Sequence, residues 1–385
     1  MTLKKNIKTL SVVYAHYETH GPGIYHNELL AQYSNRLDIF FLNAMETTWQ
    51  FPDNVTLLPY NKKQISLDSI YKKNPLSRWL FFIKFSLKLL TLVRKNKYQL
   101  IILFNSPAFL SYSLIRQFLP KNIKIWYHNY DPIDIEKTKK YSQAWFSYRA
   151  MFRHFSKIDL FTHTEEKRNI FFPIHLLRSS YYILPNYPLL KLHGGKKRKL
   201  ENNIVSLVFS GVISPGNGLE ELIKLSGKSI MGYNLNLILK GFILSDYKIQ
   251  LENIVKTCMV EKNVIFIPAG PWREVPEVLR SCNIGIHIFH KADLVSKTMG
   301  KGGSGKVFQY IAEGLPVLMS PGFYENFKEY KWAFSTELDE ESLIKNISDI
   351  ILNYDSLSQN AADTFNEELN CDTYFDKIFK TLNLK

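Results

Sequence analysis

The chain has 385 residues, of which 45% are hydrophobic and 14% aromatic, so it is long enough for two domains and too apolar to be disordered. The formal net charge is +14, and residues 1–190 account for the excess with 26 Lys and Arg against 12 Asp and Glu. Such a basic half predicts an anionic partner, which can be a phospholipid surface, an acidic or phosphorylated acceptor, or nucleic acid. No nucleic-acid-binding motif is present, so nucleic acid ranks last.

The cysteines and the first residues bear on cellular location. The three cysteines lie far apart and form no CxxC pair, so the sequence suggests neither a disulfide framework nor a cysteine zinc site. The first apolar run follows basic residues but is only about five residues long, too short for a secretory signal. We therefore expect a cytoplasmic protein, held at the inner face of the plasma membrane if the basic half meets lipid.

Short apolar runs alternate with helical patterns along the first half of the chain. We predict strands at 11–18, 37–44, 55–60, 99–106, 124–130, 159–164 and 181–186. The helices predicted between them cover 23–34, 76–97, 107–118, 142–157 and 166–172. Strands that are apolar throughout and separated by helices indicate a parallel sheet covered on both faces, which is a doubly wound α/β domain.

A polar linker at 191–203 precedes a second series of the same kind. We predict its strands at 206–213, 234–241, 263–270, 283–290 and 315–320, and its helices at 218–226, 246–258, 273–281 and 304–313. The chain is thus expected to form two Rossmann-like domains, residues 1–190 and 204–385, that face a cleft, with the last helix packing back on the first domain. In such folds ligands bind beyond the carboxyl ends of the strands.

The stretch GKGGSGK at 300–306 predicts a phosphate site at the start of the helix 304–313. Its glycines let the backbone approach a ligand closely, and the first N–H groups of a helix favour an anion. Lys306 adds a positive charge, and Gln309 shares its helix face, where an amide can meet sugar hydroxyls. The alternative interpretation is an ordinary surface helix behind a flexible loop.

Five segments resemble, in their order and spacing, the glycosyltransferases of the two-lobed GT-B fold, most closely the family-four group and its family-one-like relatives. In the second domain these segments are 207–225 (LVFSGVISPGNGLEELIKL), 263–288 and 304–320 (SGKVFQYIAEGLPVLMS). In the first domain they are YETHGPGIYHNELL at 17–30 and LPNYP at 184–188. The resemblance covers nearly the whole chain and implies that the second domain binds a nucleotide diphosphate sugar while the first binds the acceptor.

The resemblance also implies donor-site residues, with departures from the family pattern. Gln309 stands where the family usually has the glutamate that holds the ribose, and Lys301 stands where another glutamate contacts the sugar. The usual phosphate-binding arginine and lysine are replaced by Val212 and Asn217. The donor-site candidates besides Gln309 are Gly211, Lys240, Gly270, Ser304, Gly305 and Lys306. The two lysines among them are expected to supply the charge that a leaving diphosphate needs.

In the first domain the resemblance points to the end of the strand 124–130 as the reacting region. Members often have a histidine or aspartate there, so His128 and Asp131 in WYHNYDP are the catalytic candidates. The alternatives are a histidine packed in the core and an aspartate that caps the turn before Pro132. Glu18 is the candidate for a base that activates the acceptor.

The loop after the first strand is the expected acceptor side of the site. It contains His16 beside Glu18, and Gly21 and Gly23 open the following helix. Glycines at this point allow a substrate to approach the backbone closely.

The resemblance implies transfer of a sugar from a UDP- or GDP-sugar to a glycan or polyprenyl-linked acceptor, in synthesis of cell-surface polysaccharide or lipopolysaccharide. The family mostly retains configuration, by a path in which the leaving diphosphate helps to deprotonate the acceptor, while inversion with Asp131 or Glu18 as base stays open. We expect no metal, because no DxD motif follows a strand, and no cofactor besides the donor. The alternatives are a sugar-nucleotide epimerase of the same fold and a non-catalytic partner subunit of a glycosyltransferase.

The segment 75–97 combines apolar residues with a polar stripe at helical spacing. The stripe consists of Ser77, Lys84, Lys88, Thr91 and Lys95, and it argues against a membrane-spanning helix. The pattern predicts either peripheral contact with an anionic membrane or a core helix before the strand 99–106.

Overall fold

A computed structural model describes residues 7–19, 21–43, 45–65, 74–193, 198–289 and 294–382. The chain divides into two compact units, one of residues 1–186 with 372–385 and the other of residues 187–371. The segment 187–203, which the sequence analysis divides between the first domain and a linker, therefore counts with the second unit. The last residues of the chain count with the first.

In the described part of the first unit, seven strands form one parallel sheet. They are β1 (Lys8–Val13), β2 (Arg36–Phe41), β3 (Val55–Pro59), β4 (Leu100–Phe104), β5 (Lys124–Asn129), β6 (Leu160–His163) and β7 (Ser180–Ile183). Their spatial order is β3, β2, β1, β4, β5, β6, β7. The helices that follow the strands are α1 (Gly21–Tyr33), α2 (Pro75–Asn96), α3 (Asn105–Ile115) and α4 (Gln143–His154).

The second unit repeats this architecture over residues 204–367. Its strands are β8 (Ile204–Ile213), β9 (Ser229–Ile230), β10 (Tyr233–Ile243), β11 (Val264–Pro268), β12 (Ile284–His287), β13 (Val317–Met319) and β14 (Ala333–Ser335). The parallel order is β11, β10, β8, β12, β13, β14, and β9 pairs with β10 in antiparallel fashion. Its helices are α5 (Leu219–Leu225), α6 (Ser245–Thr257), α7 (Glu274–Arg280), α8 (Leu294–Lys297), α9 (Gly300–Gly303), α10 (Gly305–Ala312), α11 (Pro321–Tyr324), α12 (Glu340–Leu352) and α13 (Tyr354–Glu367).

Local sequence explains these elements. The central strands are buried along almost their whole length, as in β4, whose five residues are all buried, because helices cover both faces of each sheet. Helix α2 begins where Asn74 Oδ1 accepts the Ser77 N–H and Pro75 occupies the first turn. Two parallel, doubly wound sheets confirm the predicted α/β class.

The last helix, α14 (Asp372–Lys380), belongs to the first unit. The Tyr33 hydroxyl donates to Asp376 Oδ1 at 2.8 Å, and the Tyr33 ring lies 4.5 Å from that of Phe379. These contacts fix α14 against α1. None of the helices in the described ranges is both long enough and apolar enough to cross a membrane.

Two predicted elements differ markedly from the structure. The first strand was predicted at 11–18 but ends at Val13, because His16 and Tyr17 leave the sheet and pack their rings on Phe41. The helix predicted at 166–172 is a 3₁₀ helix over Glu166–Phe171. The short strand β14 was not predicted, since a three-residue strand carries too little periodicity to detect, and no bounds were predicted for the helices after residue 320.

Candidate functional site

The first turn of α10 brings a lysine to the carboxyl end of β8. Lys306 Nζ lies 4.0 Å from the centroid of the Phe209 ring and 5.2 Å from that of Phe289. A Cβ atom on Gly211 would lie 3.4 Å from the same Nζ, and the backbone there has φ +116°. No carboxylate pairs with Lys306 in the part of the chain that the structure describes. An unpaired cation at the end of a parallel strand can bind an anionic ligand.

The surroundings of Lys306 weaken its hold on a proton. Burial lowers the pKa of its ammonium to about 7. The negative faces of the two aromatic rings favour the charged form, but they do not replace a counter-ion. A bound diphosphate would favour the charged form further, so ligand binding and protonation of Lys306 are coupled.

Ser304 precedes α10 without capping it. Its Oγ shares a hydrogen bond of 2.6 Å with His287 Nε2, and no side chain caps the first turn of the helix. The N–H groups that begin at Gly305 are therefore open to a ligand beside Lys306. His287 is fully buried, which holds the pKa of its imidazole well below the ordinary value, and the charge of Lys306 lowers it further.

The glycine-rich stretch before Ser304 is helical, in contrast to the flexible loop of the alternative interpretation. Gly300–Gly303 forms one helical turn, and the Gly303 N–H already donates to the carbonyl oxygen of Met299 at 2.9 Å. This amide is therefore already engaged within the helical turn. The uncapped N–H groups in the first turn of α10 remain available to a phosphate.

Lys240, the second predicted cation, has a partner. It is buried at the end of β10, and its Nζ donates to the Pro268 carbonyl oxygen and to Glu274 Oε2, both at 3.0 Å. A Cβ atom on Gly270 would lie 2.4 Å from Glu274 Oε2, so glycine makes room for this ion pair. The charge of Lys240 is already balanced, whereas that of Lys306 is not.

The four positions at which the sequence departs from the family pattern differ in their surroundings. Gln309 is partly exposed on α10, and the described residues offer its side chain no hydrogen-bond partner. Lys301 forms an ion pair with Glu329. Val212 is exposed at the end of β8, and the buried Asn217 accepts a backbone N–H of its own loop. Of these side chains, Gln309 is available to a ligand.

Close approaches of the backbone hold the donor-side elements together. A Cβ atom on Gly241 would lie 1.8 Å from the Gly211 carbonyl oxygen, and one on Gly285 would lie 2.3 Å from the Tyr310 ring. The Tyr310 hydroxyl accepts the Ser210 N–H at 2.9 Å and so ties α10 to β8. The sequence analysis missed Tyr310, although a glycine inside the strand pattern NIGIHI signals such an approach.

In the first unit, His128 is a core residue. Its Nδ1 shares a hydrogen bond of 2.7 Å with Thr162 Oγ1, and its ring packs edge-on against that of His26 at 4.8 Å. Complete burial holds the pKa of this imidazole well below its ordinary value, so the ring is neutral at pH 7. This position matches the alternative interpretation, a histidine packed in the core.

Asp131 is exposed just after β5 and lines a cavity of about 790 Å³ at the carboxyl end of the sheet. Burial lowers the pKa of the Arg168 guanidinium overall, although the nearby negative charge of Asp131 acts to raise it. Arg168 is buried and donates to the Tyr130 carbonyl oxygen at 2.6 Å and to Thr164 Oγ1 at 2.8 Å. The sequence analysis missed this arginine, because a charged residue in a predicted helix gives no sign of burial.

Glu18 holds a neighbouring loop. Its carboxylate is buried and accepts hydrogen bonds from the backbone and hydroxyl of Thr48 and from the Trp49 N–H. Burial would raise the pKa of this carboxyl group, but the hydrogen bonds outweigh burial and lower it. A carboxylate that satisfies three donors is a poor proton acceptor, so the geometry favours an anchoring role.

The acceptor-side candidates lie close together. His16 is buried, its ring stacks on that of Tyr17, and burial lowers the pKa of its imidazole to about 4. His16 and Gly23 line a cavity of about 170 Å³. Gly21 begins α1, and a Cβ atom on Gly23 would lie 3.1 Å from the Tyr17 carbonyl oxygen. Across the described ranges, no three His, Cys, Asp or Glu residues are grouped so as to hold a metal ion.

Comparison with known proteins identifies this arrangement. The sequence profile of the family described as glycosyl transferases group 1 matches residues 195–364, which lie in the second unit. The chain is a glycosyltransferase with the GT-B fold. No curated protein matches the sequence.

Solved structures resemble this GT-B glycosyltransferase over nearly its whole length. Sucrose-phosphate synthase from Thermosynechococcus elongatus has a TM-score of 0.68 at 12% identity, with 97% of this chain and 99% of that one covered. Anabaena HepE in complex with UDP and glucose has a TM-score of 0.66 at 14% identity, with 98% of this chain and 99% of that one covered. WaaG, a glycosyltransferase involved in lipopolysaccharide biosynthesis, has a TM-score of 0.64 at 14% identity, with 96% of this chain and 99% of that one covered. At such low identity these likenesses show the shared fold.

Proposed function

We propose that the protein transfers a hexosyl group from a UDP- or GDP-sugar to a glycan or lipid-linked acceptor, in the synthesis of cell-surface polysaccharide or lipopolysaccharide. HepE, which has the same fold, was solved with UDP and glucose, and WaaG acts in lipopolysaccharide biosynthesis. These relatives support the class of donor and of product. In this proposal the donor is a substrate, and the enzyme uses no separate cofactor.

The uncompensated ammonium of Lys306 is the observation that carries the proposal. It lies at the end of β8, beside Gly211 and the uncapped N–H groups of α10. A diphosphate brings the negative charge that this lysine lacks and the acceptors that the amides lack. Gln309, further along the same helix, is placed to offer its amide to the ribose.

In the proposed reaction the bond between the sugar C1 and the diphosphate oxygen breaks while C1 bonds to the acceptor oxygen. The acceptor proton passes to the leaving diphosphate, whose charge Lys306 and the helix amides stabilise in the transition state. This path retains configuration and needs no strong protein base, which agrees with the anchoring contacts of Glu18. Asp131, exposed after β5, is the base in the inverting alternative. Because these groups carry the charge stabilisation, transfer should proceed in the presence of EDTA.

Peripheral membrane contact at the inner face of the plasma membrane is part of the proposal. Leu76, Leu80, Ile83 and Leu87 form an exposed apolar stripe along α2, and the exposed Lys84 and Lys88 lie beside it. An exposed apolar stripe next to lysines suits the surface of an anionic bilayer. Such contact would bring the enzyme to lipid-linked acceptors.

A thermal-shift series with UDP, GDP, CDP and their sugars tests the proposal, because a ligand that binds the native state raises the melting temperature. We expect a nucleoside diphosphate and its sugar to stabilise the protein, and transfer assays with the stabilising donor to release the free diphosphate only when an acceptor is present. An epimerised nucleotide sugar formed without acceptor would instead indicate an epimerase. Stabilisation by none of these ligands would contradict the proposal.

A further inference from the structure

The largest of the cavities described above lies on the first unit at the carboxyl end of its sheet. Its volume is about 790 Å³, within the usual range for pockets that bind small organic ligands. The residues lining it follow the ends of several strands, as Tyr14 follows β1, Leu42 follows β2 and Asp131 follows β5. Ligands of parallel α/β sheets bind at this edge.

The wall of this cavity is mainly apolar. Trp79 and Phe82 of α2 form one side, with the ring of Trp79 held edge-on against Phe146 at 5.0 Å. Ile133 and Pro107 also line the cavity. A wall of this composition favours a hydrocarbon chain over a hydroxyl-rich sugar, since burying unpaired hydroxyl groups costs free energy.

The rim of the cavity is cationic. Arg78, Lys139 and Lys140 line it, and none of their side chains has an ion-pair partner within the ranges that the structure describes. Asp131 is on the same lining, which still leaves a positive balance. Unpaired cations beside an apolar wall complement a ligand with an anionic group joined to an apolar chain.

We propose that this cavity, the apolar-cationic cavity, binds the phosphate and the adjoining hydrocarbon chain of an acceptor that is carried on a lipid phosphate. The identification as an acceptor rests on the proposed function, whereas the binding of a lipid phosphate does not. Trp79, Phe82 and Ile133 pack against the chain, and Lys139 and Lys140 pair with the phosphate. Such binding favours a lipid-linked acceptor over a free glycan, the two acceptor classes named in the proposed function.

Decyl phosphate, used below its micelle-forming concentration, is the probe, with decanol and inorganic phosphate as its two halves. Trp79 lies in the cavity, so binding should change the tryptophan fluorescence, and Trp79→Phe should remove most of that change. We expect decyl phosphate to bind the full-length protein at least roughly tenfold more tightly than decanol, and phosphate alone to bind negligibly. Equal affinity for decanol would overturn the role of the cations. Equal affinity for inorganic phosphate would overturn that of the apolar wall.

Charge variants locate the anionic group. The double variant Lys139→Gln and Lys140→Gln should weaken decyl phosphate binding roughly tenfold and leave decanol binding unchanged. The double variant Lys62→Gln and Lys63→Gln makes the same charge change at two adjacent exposed lysines outside the cavity, and it should bind the monomeric probe as the wild type does. If both pairs weaken binding equally, general attraction to a basic surface explains the result and the proposal fails.

Photolabelling of the wild type avoids any dependence on how the variants fold. A decyl phosphate with a diazirine near the end of its chain should label peptides that contain Trp79 or Ile133, and labelling elsewhere would contradict the site. Nucleotide thermal shifts measured on the same variants separate the two proposals. If no nucleotide raises the melting temperature of the wild type or of any variant, the proposed function fails while the proposal for the cavity stands. If the probe does not label Trp79 or Ile133 peptides, the proposal for the apolar-cationic cavity fails while the proposed function stands.

Discussion

Lys306 Nζ lies 4.0 Å from the centroid of the Phe209 ring, and this contact joins the first turn of α10 to the end of β8. The ammonium has an aromatic neighbour but no carboxylate partner within the described ranges. Lys240, on the adjacent strand β10, is paired with Glu274 instead. The contrast between the two lysines supports our proposal that the diphosphate binds at Lys306 rather than at Lys240.

Replacing this cation should weaken donor binding. Lys306→Ala removes a charge-assisted contact to the diphosphate, so we expect the dissociation constant of the nucleoside diphosphate to rise roughly ten- to a hundredfold by calorimetry. Lys224→Ala removes an exposed lysine that already pairs with Glu221 and should leave affinity unchanged. An unaltered affinity in Lys306→Ala would remove this residue from the site.

The lowered pKa of Lys306, about 7, predicts that donor affinity depends on pH. Below pH 7 the free ammonium is charged, and above pH 7 binding must include uptake of a proton. Affinity should therefore fall as pH rises from 7 to 9, by at most roughly tenfold per unit. Lys306→Arg keeps its charge throughout this range, so its affinity should vary less with pH. Parallel pH profiles for both proteins would show that Lys306 is not the titrating group.

Buried neutral histidines should make the fold sensitive to acid. His26 is fully buried, shares a hydrogen bond of 2.8 Å with the Tyr130 hydroxyl, and burial lowers the pKa of its ring to about 3. Between about pH 6.5 and 3 the unfolded chain binds a proton here that the native state does not, so stability falls as pH decreases, by roughly 2 kcal/mol at pH 5. In urea titrations, the free energy of unfolding should decrease less between pH 7 and pH 5 for His26→Phe than for the wild type. Equal losses would argue against this assignment.

Glu313 should stabilise the second unit through a buried polar network. Its carboxylate accepts from His193 Nδ1 at 2.8 Å and from Arg280 Nε at 3.1 Å, and Arg198 lies nearby. Glu313→Gln removes the charge that these donors share, so the free energy of unfolding should fall by roughly 2–3 kcal/mol. In comparison, Glu329→Gln breaks an exposed ion pair and should cost less than about 1 kcal/mol. Similar effects of the two substitutions in urea titrations would contradict the importance of the network.

Membrane contact should depend on the exposed stripe of α2. Leu80→Ser combined with Ile83→Ser removes two exposed apolar side chains, which should reduce co-sedimentation with vesicles rich in anionic lipid. Leu352 is similarly exposed in the second unit, so Leu352→Ser is the matched control and should bind as the wild type does. If the α2 variant binds these vesicles as well as the wild type does, α2 does not form the membrane contact.

Periodicity predicted the sheets well because buried parallel strands are apolar along their whole length. Strand β5 (Lys124–Asn129), for example, lies within the predicted range 124–130. The helix predicted at 304–313 from the glycines and the apolar periodicity is α10 (Gly305–Ala312) in the structure. The strand predicted at 11–18 was too long, because aromatic residues that pack as a ring cluster give the same apolar pattern as a strand.

Side-chain partners could not be predicted, because they depend on residues distant in the sequence. Lys240 and Glu274 are 34 positions apart, and nothing in either segment indicates that they pair. Glu18 is likewise engaged by Thr48 and Trp49, which no local pattern links to it. A motif can locate a charged residue at the edge of a sheet, but only tertiary structure shows whether its charge is compensated.

A crystal structure of the protein with UDP or GDP bound tests the central claim most directly. We predict that the diphosphate oxygens lie within hydrogen-bonding distance of Lys306 Nζ and of the first backbone N–H groups of α10, with Gln309 beside the ribose. A diphosphate bound elsewhere, with Lys306 still unpaired beside Phe209, would contradict it.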